Sequence, residues 1–366
     1  MEANAPAAYD PLLRLLVCLC AALALVGPAA AAAADGARNH RALVVDGRPF
    51  FPILAWSQCP EQVEAALAIG VNVFMGPCET AREEELLERV GQRAYVVAPI
   101  ARRGTLAHPR LLGWTQVDEP ENHGIRPRDL ALPARGARRP TFLSLTSRFL
   151  RKAEGPARYR AYVERADVVG FNLYPIATHC RSAWIRLGDV YEGQRELARL
   201  AFGKPTFQWL ETGPLEGFCG SVPPVTPREL RAQAWLAVAG GATGIGWFTH
   251  TWTTGSWLRF DLTAPVTAAA ARTSARSSAL APVLLAPQRR ARAGRPVYAG
   301  AREHGGRVYV IAVNASSLPV TRRVRSRALG GVASVTPLGG GRTIAVEDGS
   351  FADEFEALAV RIYVGR

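Results

Sequence analysis

LLGWTQVDEPE, residues 111–121, is an apolar, aromatic-rich run that breaks off at Asp118–Glu119–Pro120–Glu121. A short apolar run bounded by charge and proline reads as a strand buried on both faces. KPTFQWLETG, residues 204–213, has the same shape and ends on Glu211. A carboxylate at the C-terminal end of such a strand stands on the rim of a parallel sheet, where barrel folds build their sites. The rest of the chain decides whether there is such a sheet.

Further runs of the same kind occur at Phe50–Trp56, Val71–Met75, Ala94–Pro99, Thr141–Leu145, Val168–Tyr174 and Gly244–Phe248. With Leu112–Val117 and Thr206–Leu210 they make eight. Between most of them lie stretches with apolar residues three and four apart: Pro60–Ile69, Glu79–Val90, Ala157–Ala166, Trp184–Phe202 and Pro227–Ala239. Thr226–Pro227 followed by Glu229 carries the signals of a helix start: cap, N1 proline and early acid. Strands alternating with helices imply a parallel sheet, and eight repeats imply a (β/α)₈ barrel. Asn72, Asn172 and Gln208 within the strands suit barrel-interior or rim positions. Gly244–Gly246 reads as part of the turns around the eighth strand.

After Pro282 the texture changes to short strands separated by Gly, Pro, Asn and Ser. These are Val297–Ala301, Arg307–Asn314, Val320–Ser326, Ala333–Pro337, Arg342–Val346 and Leu358–Val364. With no helix among them, residues 283–366 predict a small antiparallel β-sandwich after a barrel over residues 36–282.

Composition bounds the rest. A hydrophobic fraction of 48% with 20% charged residues is that of a globular chain, not a disordered one. The net charge of +13 comes almost entirely from arginine, with Lys152 and Lys204 the lysines. The arginines are spread out and read as solvated surface, so no nucleic-acid partner is expected. Leu12–Val26 is an apolar run with Arg14 near its start, followed by small residues to Ala34. It reads as a secretory signal over residues 1–34, with an uncleaved anchor as the rival. The run is short for a membrane span, and no other is apolar enough. The expected location is therefore extracytoplasmic, with no stable membrane span after cleavage.

Loss of that segment removes Cys18 and Cys20 and leaves Cys59, Cys78, Cys180 and Cys219. In an exported chain these are disulfide candidates. Neighbouring strands would pair Cys59 with Cys78 and Cys180 with Cys219. A metal site is the rival, but there is no CxxC and His179 is the one nearby imidazole. Motifs for a nucleophilic serine, a zinc hydrolase, a P-loop or a dinucleotide site are absent, so neither metal nor cofactor is expected.

Counted along the barrel, Glu119 ends the fourth strand and Glu211 the seventh. In this the chain resembles the clan of (β/α)₈ glycoside hydrolases whose acid/base and nucleophile stand on strands four and seven. The opening ALVVDGRPFFPI is similar to their first hairpin and strand. The resemblance implies cleavage of O-glycosidic bonds with retention, Glu119 as general acid/base and Glu211 as nucleophile. It also implies that Tyr174 in GFNLYP bonds the nucleophile and that Trp247 in GIGWFTH floors the sugar site. Trp56, Asn172, His179, His250 and Trp252 could line the same rim. The clan commonly has Asn before its acid/base; here Asp118 stands there, and like-charge repulsion from it should raise the pKa of Glu119. Two readings stay open: a hydrolase acting on an oligo- or polysaccharide, or an inactive barrel that binds polysaccharide or serves the cell envelope.

Overall fold

The chain enters through a hairpin of β1 (Leu43–Val45) and β2 (Arg48–Phe50), turned by Asp46 and Gly47 at φ 50° and 74°. This is the turn that an Asp-Gly pair favours. The structure is a computed structural model that describes residues 42–132, 139–150, 156–176, 186–215, 224–253 and 256–366.

The next eight strands are β3 (Ile53–Gln58), β4 (Val73–Pro77), β5 (Tyr95–Pro99), β6 (Leu111–Thr115), β7 (Thr141–Leu145), β8 (Val168–Asn172), β9 (Thr206–Glu211) and β10 (Gly244–Phe248). All neighbours pair parallel, and β10 closes on β3 to complete the barrel. Helices α1 (Val63–Ala68), α2 (Glu83–Val90), α3 (Pro156–Val163), α4 (Asp189–Leu200) and α5 (Pro227–Gly240) alternate with them. The third and fourth connections carry only 3₁₀ turns, at Ile100–Arg102 and Pro127–Asp129, among the described residues. α5 begins as its sequence predicts: Thr226 Oγ1 accepts from the Glu229 amide at 3.2 Å, and the Glu229 carboxylate accepts from the Thr226 amide at 2.9 Å.

Inside the barrel Leu54, Val73, Met75, Val97, Leu112, Phe142, Val168, Phe207 and Trp209 form one apolar cluster. Two rings fit because the facing strands offer glycine. A Cβ on Gly170 or Gly246 would stand 2.2 Å from the ring of its cross-strand partner, Phe207 or Trp209. Gly246 therefore belongs to the strand and its packing, not to a turn. Alternation along β9 sends Phe207, Trp209 and Glu211 inward and Leu210 into the helical layer. Gln208 shares the outward set, away from the interior or rim position expected for it.

Beyond β10 a short hairpin, β11 (Thr251–Thr253) and β12 (Ser256–Leu258), leads to α6 (Ala264–Ala279) and α7 (Ala281–Leu284). The C-terminal domain comprises β13 (Gln288–Arg292), β14 (Val297–His304), β15 (Arg307–Asn314), β16 (Val320–Ser326), β17 (Ser334–Pro337), β18 (Ile344–Ala345), β19 (Ser350–Phe355) and β20 (Val360–Gly365). They form one antiparallel sheet in the order β18–β17–β20–β15–β14–β13–β16–β19, around its own apolar core. The sequence reading omits β13 and β19.

α5 joins the two parts. It is buried from Ala232 to Gly240 because the barrel covers one side and the β domain the other. Arg302, buried on β14, donates to Leu284 O at 2.9 Å and Val238 O at 2.8 Å. Gln288 Nε2 takes Ala239 O at 2.6 Å. These groups satisfy carbonyls that the end of a helix leaves open. No helix among the described residues is long and apolar enough to cross a membrane.

Candidate active site

At the C-terminal ends of β6, β7, β8 and β9 the chain gathers several carboxylic acids around one phenol. Glu211 is the last residue of β9 and is fully buried. One of its oxygens accepts the Ile176 amide at 2.9 Å. Glu119 lies four residues past the end of β6, at φ 43°. That left-handed conformation is uncommon for a residue with a Cβ. It is held by the Glu119 amide, which donates to Ser144 O at the end of β7 at 3.1 Å. The carboxylate accepts from the Asn172 amide at the end of β8 and from Asn122 Nδ2 at 3.1 Å.

Tyr174, two residues past β8, is buried. Burial first, and then the negative charges of Asp118, Glu119 and Glu211, hold its hydroxyl well above the ordinary phenol range. One side chain thus senses carboxylates from the fourth and the seventh barrel strand together.

Asp118 is itself pushed up, to about 7, by burial and then by the charges of Glu119 and Glu121. Beneath it Trp209 Nε1 donates to Ser144 Oγ at 3.0 Å, which leaves the serine proton for Asp118 and partly offsets that rise. Glu121, buried behind them, accepts from the Thr146 hydroxyl at 2.7 Å and from its amide. Burial raises its pKa, and the Thr146 bonds partly offset that.

An aromatic wall stands on the β10 and β3 side. Phe248 lies 5.2 Å from Tyr174, 5.8 Å from Trp56 in a stacked pair and 5.0 Å from His250, centroid to centroid. His250 meets Trp257 at 5.1 Å, and Trp257 meets Trp252 at 5.3 Å on the β11–β12 hairpin. Rings thus run from the buried phenol out to Trp252, which is 40% exposed. Flat rings of this kind suit the apolar face of a pyranose. Burial lowers the His250 pKa to about 4, so the imidazole is neutral and its Nε2 bonds the Trp56 carbonyl at 2.9 Å.

Asp118, Glu119, Asn172, Tyr174, Glu211, Trp56, His250 and Trp252 are therefore brought to one end of the barrel. Trp247 is not. Its side chain is fully buried in the helical layer, and its indole donates to Ser274 on α6 at 3.0 Å. This corrects the expectation that it floors a sugar site; the next residue, Phe248, faces inward. Phe248, Trp257, Asn122 and Glu121 escaped the sequence reading. Cys59 and Cys78 are joined by a disulfide across the ends of β3 and β4. His179, Cys180 and Cys219, and with them the second proposed bridge, lie outside the described residues. No group of three His, Cys, Asp or Glu placed to hold a metal ion occurs among the described residues.

No family model matches the chain, and no curated protein matches it in sequence. Solved structures do match in fold. A maltogenic α-amylase from Thermotoga neapolitana aligns with a TM-score of 0.52 at 9% identity, over 85% of this chain and 98% of that one. An α-amylase from Geobacillus thermoleovorans, solved with acarbose, gives 0.52 at 8% identity over 86% and 98%. A β-L-arabinopyranosidase from Geobacillus stearothermophilus, solved with arabinose, gives 0.51 at 11% identity over 86% and 97%. At such identities the likeness is one of fold: a barrel with a C-terminal β domain, as glycoside hydrolases have.

Proposed function

We propose that this chain is a secreted, retaining glycoside hydrolase that cleaves O-glycosidic bonds in an oligo- or polysaccharide. The observation that carries the reading is Tyr174, buried in the combined field of Asp118, Glu119 and Glu211. Carboxylates from two different strands at one end of a barrel, with an aromatic wall beside them, are the equipment that glycoside cleavage needs. The fold shared with glycoside hydrolases agrees with it.

In the proposed reaction Glu211 attacks the anomeric carbon while Glu119 gives its proton to the departing glycosidic oxygen. Water, deprotonated by Glu119, then breaks the glycosyl–Glu211 ester and restores both groups. Asp118, beside Glu119, holds its own proton up to about neutrality, as it is pushed up to about 7. Asn172 and Asn122 orient the Glu119 carboxylate, and the Ile176 amide orients Glu211. The secretory reading of residues 1–34 gives the extracytoplasmic location.

A panel of chromogenic glycosides, followed by the anomeric configuration of first-formed product, tests this. Glu119→Gln and Glu211→Gln should each lower turnover by about 10²–10⁴. Polysaccharide binding without cleavage of any glycoside would favour the inactive, binding barrel instead.

A further inference from the structure

Where the barrel helices meet the β domain, five arginines from three elements converge. Arg228 and Arg231 are on α5, Arg272 and Arg276 on α6, and Arg361 on β20. Spacings of three and four place each helical pair on one face of its helix. Partial burial first, and then the charges of Arg228, Arg276, Arg361 and Arg272, push the Arg231 pKa down.

Two of the five are tied to the seam. Arg228 donates to the Ala357 carbonyl, and Arg276 donates to Leu338 O at 3.3 Å with its guanidinium 5.9 Å above the Trp235 ring. Among the described residues Arg231, Arg272 and Arg361 have no hydrogen-bond or ion-pair partner, and none of the five is paired with a carboxylate. Elsewhere on the surface arginines do face acids: Arg93 with Glu64 at 2.7 Å, Arg126 with Asp129 at 2.8 Å, Arg289 with Glu303 at 3.2 Å. Arginine-rich composition alone explains many arginines; it does not explain their convergence without acids. Like charges held together destabilise the fold that holds them, and a bound anion removes that cost.

We propose that this seam is a binding surface for an acidic polysaccharide, whose carboxylate or sulfate groups the five guanidiniums take up. The planar fork of arginine matches both groups with two parallel hydrogen bonds. Arg228, Arg231, Arg272 and Arg361 are exposed, so the surface suits an extended polymer more than an enclosed small anion. The choice of a glycan among polyanions rests on the glycosidase reading above.

The test uses the full chain and measures binding to polygalacturonate, dextran sulfate, neutral dextran and duplex DNA. An acidic glycan should bind at low ionic strength at least about tenfold more tightly than neutral dextran, and release near about 0.5 M salt. The double variant Arg231→Gln/Arg272→Gln should weaken that binding about tenfold or more. It should melt no lower than the parent, because a repulsion is relieved, and should cleave small neutral glycosides as the parent does. Dextran sulfate binding without polygalacturonate binding, or the reverse, identifies which acid is read. Unchanged binding in the double variant, no binding of either acidic glycan, a lowered melting temperature, or DNA bound as tightly and lost with the same substitutions would each overturn the proposal. Failure to cleave any glycoside, with arginine-dependent glycan binding intact, would overturn the glycosidase reading and leave the seam standing.

Discussion

The side-chain amide of Asn172 donates to the carboxylate of Glu119, tying the end of the sixth barrel strand to the segment that follows the fourth. Glu119 is otherwise held by Asn122 and by its amide, which donates to Ser144 O on β7. A carboxylate that must deliver a proton to one oxygen needs this fixing, because small misplacements cost orders of magnitude in rate. Asn172→Ala should lower kcat/KM about 10- to 100-fold, as loss of a hydrogen bond to a charged group does. Asn172→Asp should do worse, since it sets another acid beside Glu119. Steady-state kinetics on any cleaved glycoside checks both, with circular dichroism as the control for folding.

Asp118 makes stability depend on pH with a definite sign. Its folded pKa of about 7 lies above the ordinary 3.8, so the native state prefers it protonated. The stability this brings is whole below pH 3.8 and is lost as pH rises through about 7. Each pH unit inside the window costs up to about 1.4 kcal/mol. His250 opposes it: with a folded pKa near 4 against an ordinary 6.5, its share is whole above 6.5 and lost as pH falls toward 4. The parent curve alone therefore resolves neither. Asp118→Asn isolates the first: relative to the parent its melting temperature should rise steadily from pH 4 to pH 7. A constant offset between the two curves would contradict the assignment.

The barrel is legible in the sequence because its strands are buried on both faces and read as apolar runs closed by Gly, Pro or charge. Thr141–Leu145 and Gly244–Phe248 agree end to end with β7 and β10. The same double burial hides which residues point inward. Nothing in GIGWF tells Trp247 from Phe248, and only the closed barrel settles that the smaller ring faces the site. β19 is missed because Ala352, Asp353 and Glu354 interrupt its apolar residues. α6 is missed because alanine, serine and threonine give its buried face little hydrophobic contrast.

That parity yields a paired prediction. Trp247→Phe removes a buried indole and its bond to Ser274 and should cost about 1–3 kcal/mol of stability. It should leave KM unchanged, because the residue faces α6. Phe248→Ala opens the wall between Tyr174, Trp56 and His250 and should raise KM for glycosides several-fold or more. Urea unfolding and saturation kinetics on both variants separate the two effects. A raised KM in Trp247→Phe with an unchanged KM in Phe248→Ala would invert the reading of the wall.

The Cys59–Cys78 bridge closes the loop that contains α1, its ends 19 positions apart in sequence. Loop-closure entropy puts its contribution near about 3 kcal/mol. The bridge also clamps the ends of β3 and β4, next to Trp56, whose carbonyl holds His250. Reduction, or Cys59→Ser with Cys78→Ser, should lower the denaturation midpoint and also loosen the aromatic wall. Unfolding with and without reductant measures the first, and near-ultraviolet circular dichroism of the tryptophans the second.

Arg302 decides whether barrel and β domain unfold together. Its guanidinium is buried and holds the carbonyls of Val238 on α5 and Leu284 on α7 from a strand of the β domain. Gln288 takes the Ala239 carbonyl beside it, and Tyr191 of α4 reaches across to the Ala299 carbonyl at 2.9 Å. Methionine in place of Arg302 would keep much of the volume but leave the Leu284 carbonyl without a donor in a site closed to water, while Val238 O keeps the Gly241 amide. The expected loss is about 1–3 kcal/mol, from one acceptor left unsatisfied. The loss should fall on the coupling between the parts, because both helix ends belong to the barrel side and the arginine to the β domain. In calorimetry Arg302→Met should turn one transition into two, and Arg302→Lys, which restores a single donor group, should recover part of the cooperativity. One unbroken transition in Arg302→Met, at the parent temperature, would mean that apolar burial around α5 suffices to couple the domains without the arginine.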